Sequence, residues 1–164
     1  MRILTLWQPW ASLIALNLKR YETRSWGTDY RGKLAIHAAK RPIVRDELQA
    51  IAYAMGGCGC SMTEFAHFEQ AVEQDLPLGA IVAIADLTDC PVMRLHHPQA
   101  IAGIEIEAQS PLEQSVGLWE SGRYAWKLEN VIALPEPIPF RGGQGLRVLS
   151  DETVLQAIAQ QTEV

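Results

Sequence analysis

The stretch LGAIVAIADLTDCPVM, residues 78–93, constrains the fold more than any other part of the chain. Apolar side chains fill both phases of the alternation at its start, so a strand there is buried on both faces. Such a strand needs other strands beside it and packed layers on either side. The rest of the chain supplies both. MRILTLW (1–7) alternates as a first strand, and RYETRSW (20–26) is rich in the β-favouring Tyr, Thr and Trp. KLAIHAAK (33–40) sets Leu34, Ile36 and Ala38 on one face and Lys33, Ala35 and His37 on the other. GRYAWKLENVIAL (122–134) is a strong strand, and PEPIPFRGGQG (135–145) is an extended, Pro-rich stretch that ends in a glycine loop.

Helical patterns lie between and after these strands. QPWASLIALN (8–17) has Pro9 in a first turn and Asn17 at the end, a residue that tolerates the left-handed backbone. PIVRDELQAIAYAM (42–55) is closed by Gly56 and Gly57. SMTEFAHFEQAVEQ (61–74) opens with Ser61 and Glu64 in capping-box spacing. SDETVLQAIAQQ (150–161) forms a closing helix capped by Ser150. GTDYRG (27–32) reads as a turn that pairs strand 20–26 with strand 33–40, and HHPQA (96–100) as another turn. The segment around Glu105 fits helix or loop equally. Five or six strands with several helices suit a small barrel decorated with helices, or an open α+β sheet; periodicity does not separate the two.

A chain of 164 residues suits one domain, 1–164, with a core that needs no covalent staple. No run of 18 apolar residues occurs, so no membrane span is expected. Gln8 and Pro9 interrupt the apolar N-terminus and no clean cleavage site follows, which reads as a cytoplasmic protein. The three cysteines, Cys58, Cys60 and Cys90, do not make a disulfide framework. Cys58-x-Cys60 with His67 further on falls short of four zinc ligands, so neither a metal nor a cofactor is expected.

The net charge of −5 is unevenly spread. Residues 1–45 hold nine basic and two acidic side chains, +7; residues 46–164 hold five basic and seventeen acidic, −12. One basic face on an acidic body is the expectation. It would attract phosphates locally while the remainder repels bulk polyanion.

The basic segment contains NLKRYETRSW (17–26). Glu22 and Arg24 share a strand face, joined by Arg20 and Trp26 if the strand is regular. Lys19 joins Glu22 only from the turn before the strand. His37 or Lys33 would be the cross-strand neighbour if 27–32 is a hairpin turn. On spacing alone, the plain reading is a solvated strand whose ion pair contributes about 0–1 kcal/mol.

Lys19-x-x-Glu22-x-Arg24, after a short helix, resembles the GxKxxExR signature of the ASCH (activating signal cointegrator homology) family, with Asn17 in the glycine position. LTLWQPWASLI is similar to the family's opening strand and helix, RSWGTDYRGKLAIHAAK to its first hairpin, and GRYAWKLENVIALPEPIPFRGGQGL to its closing strands. Residues 43–75, roughly, would then be a helical insertion. The resemblance implies an α+β fold, a PUA-like small β-barrel flanked by helices. It also implies a basic cleft that binds RNA, single-stranded nucleic acid or a nucleotide. Some members act as an amidohydrolase on acetylated cytidine or as ribonucleases. The amidohydrolase type uses a Lys and a Thr of the signature region with a distant Glu; here Glu22 stands where that type has Thr.

The candidate ligand-binding residues are Lys19, Glu22, Arg24, Trp26, His37, Tyr124 and Gln144. Arg24 suits a bidentate hold on phosphate and Lys19 a point charge. Trp7, Trp26 and Tyr30 are stacking candidates, and Tyr124 with Trp126 could close the cleft. The backbone of Gly142, Gly143 and Gly145 could approach an anion, with Gln144 reading a base edge. If the protein is an enzyme, Lys19 would be the base and Glu22 a proton shuttle, with His37 an alternative acid–base group. A small hydrolase in the same cleft, or a protein-interaction adaptor without chemistry, are the competing readings.

Overall fold

The computed structural model describes residues 1–57, 61–73, 76–96 and 102–162. Six strands form one curled sheet, a half-barrel in the order β2-β7-β4-β3-β1-β8, flanked by helices. The strands are β1 (Arg2–Leu6), β2 (Tyr21–Arg24), β3 (Gly32–Ala38), β4 (Ala80–Asp89), β7 (Tyr124–Pro139) and β8 (Leu146–Val148). β5 (Met93–Arg94) and β6 (Ile104–Glu105) make a separate two-stranded parallel pair. The helices are α1 (Trp10–Ala15), α2 (Arg45–Gly57), α3 (Met62–Glu73), α4 (Pro111–Ser115) and α5 (Glu152–Thr162). This is the PUA-like fold with flanking helices that the family resemblance implied and that periodicity left undecided.

β4 lies between β3 and β7 and is buried on both faces, as its apolar run requires. Val82, Ala83, Ala85 and Leu87 join Leu4, Leu34, Ile36 and Trp126 in the main core, capped by Ala11 and Ile14 of α1. On the other face, Ile81 and Ile84 meet Ile3, Leu134, Leu149 and Ile158 of α5. α2 and α3 pack Ile51, Met55 and Phe68 against Leu13 and Leu18, which extends the apolar interior beyond α1.

The pairing of 20–26 with 33–40 is not found. β2 pairs antiparallel with β7, while β3 runs parallel to β1 and antiparallel to β4. Residues 25–31 make a wide crossing loop with its own supports. The Arg31 guanidinium donates to the carbonyls of Thr28 and Tyr30, and the Tyr30 hydroxyl to Lys33 O. The cross-strand neighbour of Glu22 is therefore Trp126, and that of Arg24 is Tyr124. Neither His37 nor Lys33 takes that place; Lys33 pairs with Asp86 at 3.0 Å.

The last helix is capped by Asp151 and not by Ser150: Asp151 Oδ1 accepts from the amides of Thr153 and Val154. The segment around Glu105 is the short strand β6, followed by α4. Cys58, Cys60, Gln74 and residues 97–100 of the HHPQA turn lie outside the described residues. No helix among the described residues is long and apolar enough to cross a membrane.

The capping box at 61–64 forms as the spacing predicts. Ser61 Oγ accepts from Glu64 N at 3.2 Å, and Glu64 Oε2 accepts from Ser61 N at 2.8 Å. Ser61→Ala is expected to cost about 0.5–2 kcal/mol of helix stability. The loss should appear as faster amide exchange in the first turn of α3, with the exchange of β4 unchanged.

Candidate functional site

The signature segment begins with a helix end. α1 is six residues long and stops at Leu16, after which Asn17 adopts φ 59°. Asn17 N–H donates to Ile14 O at 2.8 Å, and Leu18 N–H to Leu13 O at 2.9 Å. These two bonds define a Schellman motif, and the accompanying apolar contact is Leu18 on Leu13. A left-handed residue is required there, which explains why Asn serves in place of Gly. The motif reverses the chain and delivers Lys19 to the interior just before β2.

Lys19 is 1% exposed. Its ammonium donates to Val116 O at 3.0 Å and lies 3.8 Å from Glu22 Oε2. Burial lowers the Lys19 pKa, against the attraction of Glu22 and Glu113. Glu22 Oε1 is 3.0 Å from Arg24 Nε. Arg24 Nη2 in turn donates to Thr5 O at 3.2 Å. The charges thus run in a line from the interior, Lys19, through Glu22, to Arg24 at the surface. The last bond crosses from β2 at one edge of the sheet to β1 near the other.

Glu113 was not anticipated. It is buried on α4, accepts from Arg20 N–H, and has a second carboxylate oxygen without a hydrogen bond among the described residues. Burial pushes its pKa up, against the Arg20 N–H donor and Lys19. The Ser110-Pro111-x-Glu113 spacing was the available signal. Ser110 Oγ accepts from Glu113 N, and Pro111 occupies the first turn.

A cleft of about 1320 Å³ opens beside Arg24. Arg24 and Trp26 line one side, Thr5 and Trp7 the end of β1, His37 the floor, and Lys40 and residues 139–145 the far side. Arg24, Lys40 and Arg141 are its cations; no carboxylate is among the described residues that line it. Trp7 is 54% exposed, with the Arg41 guanidinium 3.9 Å from its ring centre. Glu47 holds that guanidinium through both oxygens. Trp26 stands edge-on to Trp126, with ring centres 4.7 Å apart, and its carbonyl accepts from Trp126 Nε1.

The glycine loop is fastened over His37. His37 Nε2–H donates to Phe140 O at 2.9 Å, and Gly143 N–H donates to Thr5 Oγ1 at 3.2 Å. His37 Nδ1 has no hydrogen-bond partner among the described residues, and burial lowers the His37 pKa. A Cβ at Gly142 would lie 2.3 Å from His37 Cε1 and 2.7 Å from Thr5 Oγ1, so only glycine allows this approach.

Of the residues singled out in the sequence, Arg24, Trp26, His37 and Gln144 meet in this cleft. Glu22 lines a smaller side pocket that shares Thr5, Trp7 and Arg24 with it. Lys19 stands behind Glu22 and lines neither cavity. Tyr124 packs its ring over Gly27 and is also absent from both. Lys40, Arg141 and Thr5 were missed, because they reach the cleft only through the sheet order. A separate groove of about 840 Å³ beside Arg20, Tyr21 and Lys127 mixes these with Glu64, Glu113 and Glu129.

The curled sheet and its flanking helices place the chain in the PUA-like class. Residues 4–138 match the model of the ASCH domain, and the chain belongs to that family. It is 36% identical over 111 residues to human activating signal cointegrator 1, covering 66% of this chain and 17% of that protein. It is 40% identical over 90 residues to the mouse protein of the same name, covering 53% of this chain and 14% of that protein. The chain thus spans less than a fifth of the length of these relatives.

Proposed function

We propose that the cleft binds RNA or another single-stranded nucleic acid, taking phosphates on Arg24, Lys40 and Arg141 and bases on Trp7 and Trp26. The observation that carries this reading is the charge of the lining: three cations and no described carboxylate, in a chain of net charge −5. Such a lining attracts phosphate locally, while the acidic body limits nonspecific polyanion binding. Arg24 is preorganised, since Glu22 and Thr5 O fix its plane before any ligand arrives. The two tryptophans are held in place by Arg41 and Trp126, so stacking costs little ordering.

Lys19 enters this reading as a positioning residue. Its ammonium is committed to Val116 O and to Glu22, away from the cleft. Binding therefore accounts for the geometry better than hydrolysis with Lys19 as the base.

A fluorescein-labelled single-stranded RNA titrated at several salt concentrations tests the proposal. With three phosphate contacts, log K should fall against log salt with a slope of about −2. Arg141→Ala should reduce that slope by about 0.7, with the melting temperature unchanged. Salt-independent binding, or none at about 50 mM salt, would sink the proposal.

A further inference from the structure

The side pocket next to the cleft has a volume of about 200 Å³. Its walls are Leu6, Trp7 and Trp10, with Glu22 and Arg24 supplying the polar groups. Because it shares Thr5, Trp7 and Arg24 with the larger cleft, a strand lying in the cleft passes its mouth. A space of this size, with two indoles in its lining, suits one planar ring system.

The polar groups of this pocket are selective. An ionised carboxylate only accepts hydrogen bonds, and a guanidinium only donates them. Glu22 keeps a tenth of its side-chain surface exposed, and its Oε1 is shared with Arg24 Nε. Lys19, 3.8 Å from Oε2, balances its charge from behind. Arg24 Nε lies 3.0 Å from Glu22 Oε1 as an ion pair without hydrogen-bond geometry, and Nη2 donates to Thr5 O. Its Nη1 has no hydrogen-bond partner among the described residues. The pocket thus offers acceptors from one side chain beside donors from the next.

Among the four bases, the Watson–Crick edge of guanine matches that order. Its N1–H and N2–H₂ are adjacent donors for a carboxylate, and O6 beside them accepts from a guanidinium. Adenine and cytosine each bring one donor group next to an acceptor nitrogen, which would face the carboxylate unpaired. Uracil has a single N–H between two carbonyls. An acceptor set against an acceptor is disfavoured by the cost of desolvating both.

We propose that this pocket takes one unpaired guanine from the bound strand, with Glu22 and Arg24 reading its Watson–Crick edge and Trp7 stacking on its face. The proposal rests on the cleft's being a single-strand site. It makes Glu22 and Arg24 specificity-determining residues, where the cleft alone would bind any sequence.

The test uses the unmodified protein, because Glu22 also balances Lys19 and Arg24 and its replacement would disturb the fold. Labelled hexa-uridine RNAs carrying one central guanine, inosine, adenine or cytosine are titrated at low salt. Guanine should bind at least about tenfold tighter than adenine, cytosine or the all-uridine strand. Inosine, which lacks only the 2-amino group, should fall between. Equal affinity across the series overturns the guanine pocket and leaves the cleft reading standing. Failure of every strand to bind overturns both. A guanine strand bound no better than its inosine counterpart removes the bidentate contact with Glu22 and overturns the proposal as stated.

Discussion

Lys19→Ala is expected to lower the unfolding free energy by about 3–5 kcal/mol, the usual loss when one partner of a buried charge pair is removed. The side chain is 1% exposed, and its ammonium holds Val116 O and Glu22 together. Removal leaves Glu22 with Arg24 as its remaining ion-pair partner, Val116 O without its Lys19 donor, and a cavity where three methylenes and the ammonium stood. Urea unfolding should show a lower midpoint with an unchanged slope. A loss below about 1 kcal/mol, the value of a surface pair, would show that Lys19 is not structural. Alkaline pH supplies a second readout. Burial holds the Lys19 pKa below its ordinary value, so between the folded and unfolded pKa values the unfolded chain binds more protons. Wild-type stability should gain a rising term with pH across that window, and Lys19→Ala should lack it.

Trp126→Ala should cost a similar amount, about 3–5 kcal/mol, by a different route. Trp126 is fully buried in the main core, opposite Glu22 on the neighbouring strand. Its indole fixes Trp26 through the edge-on contact and the hydrogen bond to Trp26 O. The substitution should therefore weaken RNA binding in the fraction of molecules that remains folded. Trp126→Phe separates the two effects, since it retains most of the apolar volume but loses the N–H. Thermal melts should recover most of the stability in Trp126→Phe, while affinity recovers less. Full recovery of both would show that the hydrogen bond to Trp26 O does not matter.

Much of this was legible locally. The apolar run 78–93 announced a strand buried on both faces, and β4 is that strand. Ser61 and Glu64 announced a capping box, and Asn17 a left-handed helix end; each depends on residues within one or two turns. The mispaired strands had a nonlocal cause. A strand, a glycine-flanked loop and another strand look like a hairpin in sequence, and nothing local reports that β7, some hundred residues later, takes the edge of β2. The same blindness hid half of the cleft. Lys40 and Arg141 are ordinary surface cations in sequence, and only the order β4-β3-β1 brings their loops to Arg24. Lys19 does reach Glu22 from before the strand, as alternation required, but it was expected in the cleft and is buried behind it, because its ammonium is taken by Val116 O at the end of α4.

The bond from Arg24 to Thr5 O has a mechanical meaning. It is a clasp across the seam of an incompletely closed barrel, fastened by a side chain where a fully closed barrel would use backbone pairing. The same guanidinium lines the cleft. One side chain thus spans the seam and faces the cleft, so Arg24→Ala should loosen the β1–β2 spacing and alter the cleft lining together.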